Sequence, residues 1–157
     1  MFFKPRQCPS PVYMYHITAL MKNFIDHFAY LVHRPKYFKK PAMVFIHRGG
    51  MFKEVIAYME RVAKSWGFSV VAKLGIADLD DLTPNYREKS IKELQRETEK
   101  FYNAVKTGKL PSPTLTDLIG FRVWKINDRN LKSEFPADHA YWEENGLFEK
   151  NYITMPI

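Results

Sequence analysis

The segment PAMVFIHRGG, residues 41–50, decides the fold class of this chain. Its apolar run at residues 42–46 is short and lacks polar alternation, which indicates a strand buried on both faces, as in a parallel sheet. The glycine pair after it predicts a turn into a helix over residues 52–66, where apolar residues recur at helical spacing. Gly67 stands where a helix-ending glycine belongs, and residues 68–72 predict a second strand. Strand, turn, helix and strand make a βαβ unit with a right-handed crossover.

Outside this unit the sequence predicts four more helices and no further convincing strand. Three prolines in residues 1–11 argue against a central strand there, since proline lacks the N–H that a strand donates. Two parallel strands make a poor sheet by themselves, so further strands are expected to complete it. The four helices are expected at residues 17–34, at 83–107 before Gly108, at 114–126 with a Thr114–Asp117 capping box, and at 138–145 between a capping Asp138 and Gly146.

Composition limits the possible classes of protein. The chain has 157 residues, 46% hydrophobic and 15% aromatic, which suits one domain with a buried core. Its net charge of +7 permits an anionic cofactor, but most cations alternate with acids. The densest basic patch, Arg34 with residues 36–40, is more simply a solvated loop than a nucleic-acid site, so nucleic acid is not expected as a partner. One cysteine, no signal-like start and no long apolar run predict a cytoplasmic location without a membrane segment.

Several short motifs, in a fixed order, carry a resemblance to a known family. Ser10-Pro11-Val12-Tyr13 precedes a helix that contains residues 21–26, and the chain then continues through the βαβ unit to a distinctive tail at residues 135–146. This order resembles the NADPH-dependent FMN reductase family of flavodoxin-like proteins, over about residues 9–150. The matching features within the unit and tail are Lys40-Pro41, Gly49-Gly50, Trp66-Gly67, Phe135-Pro136-Ala137-Asp138, Tyr141-Trp142 and Gly146.

The resemblance implies a flavin site at the carboxyl ends of the parallel strands, where doubly wound sheets bind ligands. It implies FMN as cofactor, NAD(P)H as electron donor, and a small molecule or protein as electron acceptor. Tyr13 or Tyr15 is suited to stack on the flavin ring, and glycine lets backbone approach it closely. We nominate no catalytic side chain, because the redox chemistry belongs to the cofactor, and no metal ligand, because the five histidines lack metal-binding spacing. The expected cofactor-binding residues are Ser10, Pro11, Val12, Tyr13, Tyr15, His47, Arg48, Gly49 and Gly50.

The resemblance also implies a departure from the family pattern. In the family three strands and a Ser/Gly-rich phosphate loop come before the Ser-Pro-x-Tyr turn, whereas nine residues precede Ser10 here. We therefore expect a partial, truncated flavodoxin-like three-layer fold with weakened or lost FMN binding and an exposed strand edge at residues 42–46. A late start, a true remnant and a partner chain that supplies the missing strands remain open explanations.

The expected organisation is an irregular segment at residues 1–9, a flavodoxin-like α/β portion at 10–110, and a helical extension at 111–157 that packs on the same domain. An exposed edge would favour a homo-oligomer. The alternative to an oxidoreductase is thus a non-catalytic, flavodoxin-like remnant that serves as an oligomerisation or interaction domain.

Overall fold

A computed structural model describes residues 8–47, 52–78 and 82–152 of the chain. The elements in chain order are β1 (Cys8–Tyr13), β2 (His16–Ile17), α1 (Ala19–His27), a 3₁₀ helix (Ala29–Val32), β3 (Pro41–His47), α2 (Lys53–Ser65), β4 (Ser69–Ile76), α3 (Pro84–Thr107), α4 (Leu115–Asn130) and α5 (Pro136–Glu144).

The strands of the described residues form one sheet in the order β2-β1-β3-β4. β1 and β4 both run parallel to β3, whereas the short β2 folds back antiparallel to β1. The predicted βαβ unit is confirmed as β3-α2-β4. Because three strands are parallel, their carboxyl ends at Tyr13, His47 and Ile76 lie at one edge of the sheet, which we call the carboxyl rim.

Helices cover both faces of the sheet, as the uninterrupted apolar run predicted. Ile46 packs with Val55 and Met59 of α2 in one buried cluster. Met43 belongs to a second buried cluster with Phe101 of α3, because odd and even residues of a strand face opposite sides. The result is a three-layer, mostly parallel α/β fold of the flavodoxin-like class.

The expectation of an irregular segment at residues 1–9 was wrong for residues 8 and 9, which belong to β1. No central strand was expected in residues 1–11, and β1 is an edge strand along residues 8–11. β1 pairs with β3 along this stretch, with Pro9 opposite Phe45 and Pro11 opposite His47. The two prolines stand two residues apart, so both nitrogen atoms point to the same side of the strand. The ladder to β3 must use the N–H groups of Ser10 and Val12, which leaves both prolines facing the outer edge.

The expectation of an exposed edge on β3 was also wrong. β3 has neighbours on both sides, and β1 instead presents the outer edge along residues 8–11. β2 covers β1 only at Val12 and Tyr13. The proline placement is typical of an edge strand, because it withholds N–H donors from any further strand.

The C-terminal helices attach to the loop that leads into β3. Trp142 of α5 is fully buried, and its indole Nε1 donates a hydrogen bond to the carbonyl oxygen of His33 at 2.7 Å. The hydroxyl of Tyr141 donates to the carbonyl oxygen of Pro35 at 2.9 Å. The Thr114–Asp117 capping box of α4 is confirmed. Asp138 does not cap α5, however: the helix begins at Pro136, and the Asp138 carboxylate pairs with Arg34.

No helix among the described residues has the length and apolar character needed to cross a membrane.

Candidate functional site

A tight hairpin projects from the carboxyl rim. β1 and β2 pair at Tyr13 and His16, so only Met14 and Tyr15 connect them. Both have positive φ angles, 45° and 65°, as a two-residue turn of the type I′ class requires. Neither is glycine or asparagine, so the turn is strained by about 1–2 kcal/mol for each residue. Strain of this kind concentrates at functional sites, which directs attention to this hairpin.

The hairpin exposes three large side chains to solvent. Tyr13, Met14 and Tyr15 have relative exposures of 67%, 89% and 65%. Because these aromatic side chains are exposed, contacts within this chain stabilise them little. Their amphipathic rings are instead available to contact a planar ligand.

Residues 10–13, predicted as a turn, instead form the end of strand β1, and the turn lies at Met14 and Tyr15. The two predicted segments nevertheless lie side by side as far as the structure describes them. Pro11 lies opposite His47 and Ser10 opposite Ile46, so the two segments leave the sheet on adjacent strands at the same rim. Arg48, Gly49 and Gly50 lie outside the described residues. Met14 was not nominated from the sequence, because nothing in Tyr-Met-Tyr signals a turn that normally takes Asn-Gly.

The rim rests on buried packing. Val12 and Ile17, one from each strand of the hairpin, join the α2 core cluster. The His16 ring lies 5.1 Å from the Tyr58 ring of α2. At the end of β4, a Cβ atom on Gly75 would lie 2.5 Å from Cδ2 of Phe52, so glycine is what allows the Phe52 ring to lie over that strand. Packing therefore fixes the base of the rim.

Several side chains of the basic patch, Arg34 with residues 36–40, contact other parts of the fold. Arg34 pairs with Asp138. The Tyr37 ring stacks on Phe68 at 4.4 Å between centroids, and Phe38 packs against Phe121. Its aromatic side chains are thus engaged in packing, which leaves them unsuited to stack on bases.

A second polar cluster, missed by the sequence analysis, lies away from the rim. His33, Asp128 and Asp138 come together where the loop before β3 meets α4 and α5. Burial, reinforced by the negative charge of Asp138, raises the pKa of Asp128 above its usual value. The three residues are too far apart in sequence to show any motif spacing.

The larger surface depressions lie elsewhere on the described residues. One, of about 530 Å³, follows the charged face of α3 between Asn85 and Arg96. Another, of about 420 Å³, opens beside Ser69 at the amino end of β4 and is walled by residues 110–114. Neither depression includes the hairpin.

Comparison with known proteins identifies the fold segment that carries the rim. The family model described as NADPH-dependent FMN reductase matches residues 9–74, which run from β1 into β4. Over these residues, which are fewer than half of the chain, the sequence is similar to the NADPH-dependent FMN reductase family. The name of that family refers to FMN and to NADPH.

A curated relative extends the similarity beyond the family segment. The chain is 29% identical over 141 residues to an iron-sulfur flavoprotein of Archaeoglobus fulgidus, which covers 88% of this chain and 63% of that protein. The chain thus spans less than two thirds of the length of the relative. An iron–sulfur cluster is usually held by about four cysteine thiolates. These 157 residues contain one cysteine and do not supply such a ligand set.

Proposed function

We propose that this chain forms part of a flavodoxin-like, FMN-dependent NAD(P)H oxidoreductase of the flavin or quinone reductase type. Bound FMN supplies the hydride-accepting chemistry, and the protein binds and orients its ring. In the proposal the ring rests on the carboxyl rim, against the hairpin on one side and the turn after His47 on the other. The electron acceptor is a small molecule or a protein.

One observation carries the proposal: a strained, exposed aromatic hairpin stands directly beside the end of the central strand. Pro11 lies opposite His47, and Tyr13 and Tyr15 are about two-thirds exposed. Tyr13 and Tyr15 each offer a ring face for contact with the flavin, and backbone groups of the hairpin offer donors and acceptors to the polar edge of the ring. The open side of the ring would then accept NAD(P)H.

The proposal assigns ring contacts, rather than phosphate contacts, to the described residues. The family resemblance puts the phosphate loop on another strand, whose place would be beside the outer edge of β1. The chain alone should therefore hold FMN weakly and gain little from the phosphate. Weak binding by the isolated chain is the finer part of the proposal.

Flavin titration tests both parts. Quenching of flavin fluorescence is measured for FMN and for riboflavin, which lacks the phosphate. We expect saturable binding of both, with dissociation constants within about threefold, or 0.7 kcal/mol, of each other. Absence of saturable binding to either flavin would contradict the proposal, and a strong preference for FMN would contradict the assignment of ring contacts alone.

Single substitutions assign the surface used. Tyr13→Ala and Tyr15→Ala should each weaken flavin binding by about 2–10-fold, which is the value of one aromatic stacking contact. Tyr102→Ala is the matched control, because Tyr102 is 58% exposed but lies near the C-terminal end of α3, far along the helix from the carboxyl end of β4. Equal effects from all three substitutions would remove the hairpin from the site.

A second candidate, an interaction domain without flavin, rests on the outer edge of β1. That edge has no strand neighbour along residues 8–11 in the part of the chain that the structure describes. Pro9 and Pro11 withhold two N–H donors from it, so pairing there would be held by few hydrogen bonds. Light scattering during gel filtration decides: a homo-oligomer that forms without flavin supports this candidate, and a flavin-binding monomer opposes it.

A further inference from the structure

Three side chains with metal-binding atoms converge at the amino-terminal side of the sheet, opposite the carboxyl rim. His33 follows the 3₁₀ helix, Asp128 lies near the end of α4, and Asp138 lies in the first turn of α5. One potential ligand atom from each lies within 4.8 Å of the other two. An imidazole nitrogen and two carboxylate oxygens form a donor set that suits zinc and similar divalent transition metals.

The separations are close to those a bound ion requires. Zinc binds nitrogen and oxygen ligands at about 2.0–2.2 Å, so neighbouring ligand atoms stand about 3–4 Å apart. His33 Nδ1 lies 3.9 Å from Oδ2 of Asp138. Ligand atoms within 4.8 Å of each other therefore need to move by less than an ångström to contact one ion.

A buried oxygen atom independently points to a missing partner. Asp128 is 5% exposed, and its Oδ2 atom has no hydrogen-bond partner among the described residues. A charged carboxylate oxygen that is withdrawn from water without a hydrogen-bond donor is strongly unfavourable. This unfavourable burial occurs at the point where the side chains of His33 and Asp138 also come together.

The charges around the cluster are also unbalanced. Asp128 and Asp138 bring two negative charges, and Arg34 compensates one of them through its pair with Asp138. The imidazole of His139 contacts the carbonyl oxygen of Asp128 through Nδ1 at 2.9 Å. Two carboxylates thus face one arginine, and a divalent cation would supply further positive charge at this point.

Neighbouring groups hold the three residues in place. Trp142 donates to the carbonyl oxygen of His33, whose ring lies 4.7 Å from the Trp124 ring. Arg34 binds Oδ1 of Asp138, which leaves Oδ2 on the side of His33. Ligands of bound metals are commonly oriented by outer partners of this kind. The His33 side chain is 40% exposed, so an ion has a path from solvent.

We propose that His33, Asp128 and Asp138 bind one divalent transition-metal ion, zinc or a similar cation, which joins α4 and α5 to the loop before β3. The site is structural: it lies at the end of the sheet opposite the proposed flavin surface, and water can complete the coordination. Its role is to fix the C-terminal helices on the core.

Metal titration of the full chain tests the site without any flavin. After removal of metal with EDTA, zinc is titrated by calorimetry and cobalt by visible absorbance, and melting is recorded with and without zinc. We expect one equivalent of zinc, a cobalt d–d spectrum and a higher melting temperature with zinc. No saturable zinc binding, or binding without any change in melting, would overturn the proposal.

Substitutions distinguish a metal from a proton shared by the two carboxyl groups. Asp128→Asn and His33→Gln should each weaken zinc binding by more than about tenfold, since loss of even an outer partner costs about 10–100-fold. His27→Gln, at an exposed histidine on α1, is the control and should bind like the parent. If Asp128→Asn binds zinc as tightly as the parent, Asp128 is no ligand and the assignment fails. Because the readout is independent of flavin, it separates this inference from the proposed oxidoreductase.

Discussion

The strained hairpin predicts that one double substitution raises stability and lowers flavin affinity at the same time. Met14→Asn/Tyr15→Gly installs the pair that two-residue turns of this class prefer. The present residues hold φ angles of 45° and 65°, at a cost of about 1–2 kcal/mol each, and Asn and Gly relieve most of it. Glycine returns part of the gain through the greater freedom of the unfolded chain.

The net gain should be about 1–2 kcal/mol in the free energy of unfolding. Little packing is lost, because Met14 is 89% and Tyr15 65% exposed. A chain of this size shifts its melting temperature by about 2–4 °C for each kcal/mol, which gives a rise of about 2–8 °C. Flavin affinity should fall by about 2–10-fold, because one aromatic contact is removed.

Urea denaturation and flavin titration on the same preparations provide the assay. Met14→Asn alone is the control: it relieves part of the strain, keeps both tyrosines, and should leave flavin affinity unchanged. A double variant that melts at or below the parent temperature would show that the turn stores no strain. A stabilised variant with undiminished flavin affinity would break the link between the strained turn and binding.

Three further substitutions test the account of the fold. Gly67→Ala should cost about 2–4 kcal/mol in urea denaturation, because φ is 101° and the new Cβ would lie 3.0 Å from the backbone nitrogen of Phe38; an unchanged midpoint would refute the close approach. Thr114→Ala should cost about 1 kcal/mol by removing one half of the capping box, and a neutral result would deny the cap a role. Burial alone would raise the pKa of Glu97, but hydrogen bonds from Lys100, the Lys73 N–H and Arg96 outweigh it and lower that pKa. The carboxylate thus stabilises the fold at pH values above its unfolded pKa of 4.5, and this contribution is lost as the pH falls through the lower pKa of the folded state. Glu97→Gln should reduce the loss of stability at acidic pH and should cost about 1.5–3 kcal/mol in the free energy of unfolding at neutral pH, as measured by denaturation across pH.

Local signals explain what the sequence predicted correctly. The apolar run that became β3, the glycine that ends α2, and the capping box of α4 each depend on residues within one turn or strand. Such signals survive in any tertiary context that buries the same face. The order of the family motifs then indicated the parallel sheet to which these elements belong.

The failures arose where distant residues decide the outcome. Pro9 and Pro11 argued against a central strand, and the edge strand that they do allow was missed, because only pairing with β3 shows that both nitrogen atoms face the outer edge. Asp138 has the side chain of a helix cap, yet Arg34, more than a hundred residues earlier, provides its partner. The cluster of His33, Asp128 and Asp138 is likewise assembled from three separate elements. The hairpin lacks the glycine that would have predicted its turn.

Backbone amide shifts during FMN titration test the central claim most directly. In ¹H–¹⁵N spectra of the labelled chain, the largest changes should fall on residues 12–16, on His47 and on the residues that follow it. The depression beside Ser69 and the exposed face of α3 should change little. If the shifts instead concentrate at residues 69–70 and 110–114, or along α3, the flavin does not rest on the carboxyl rim and the proposed site is wrong.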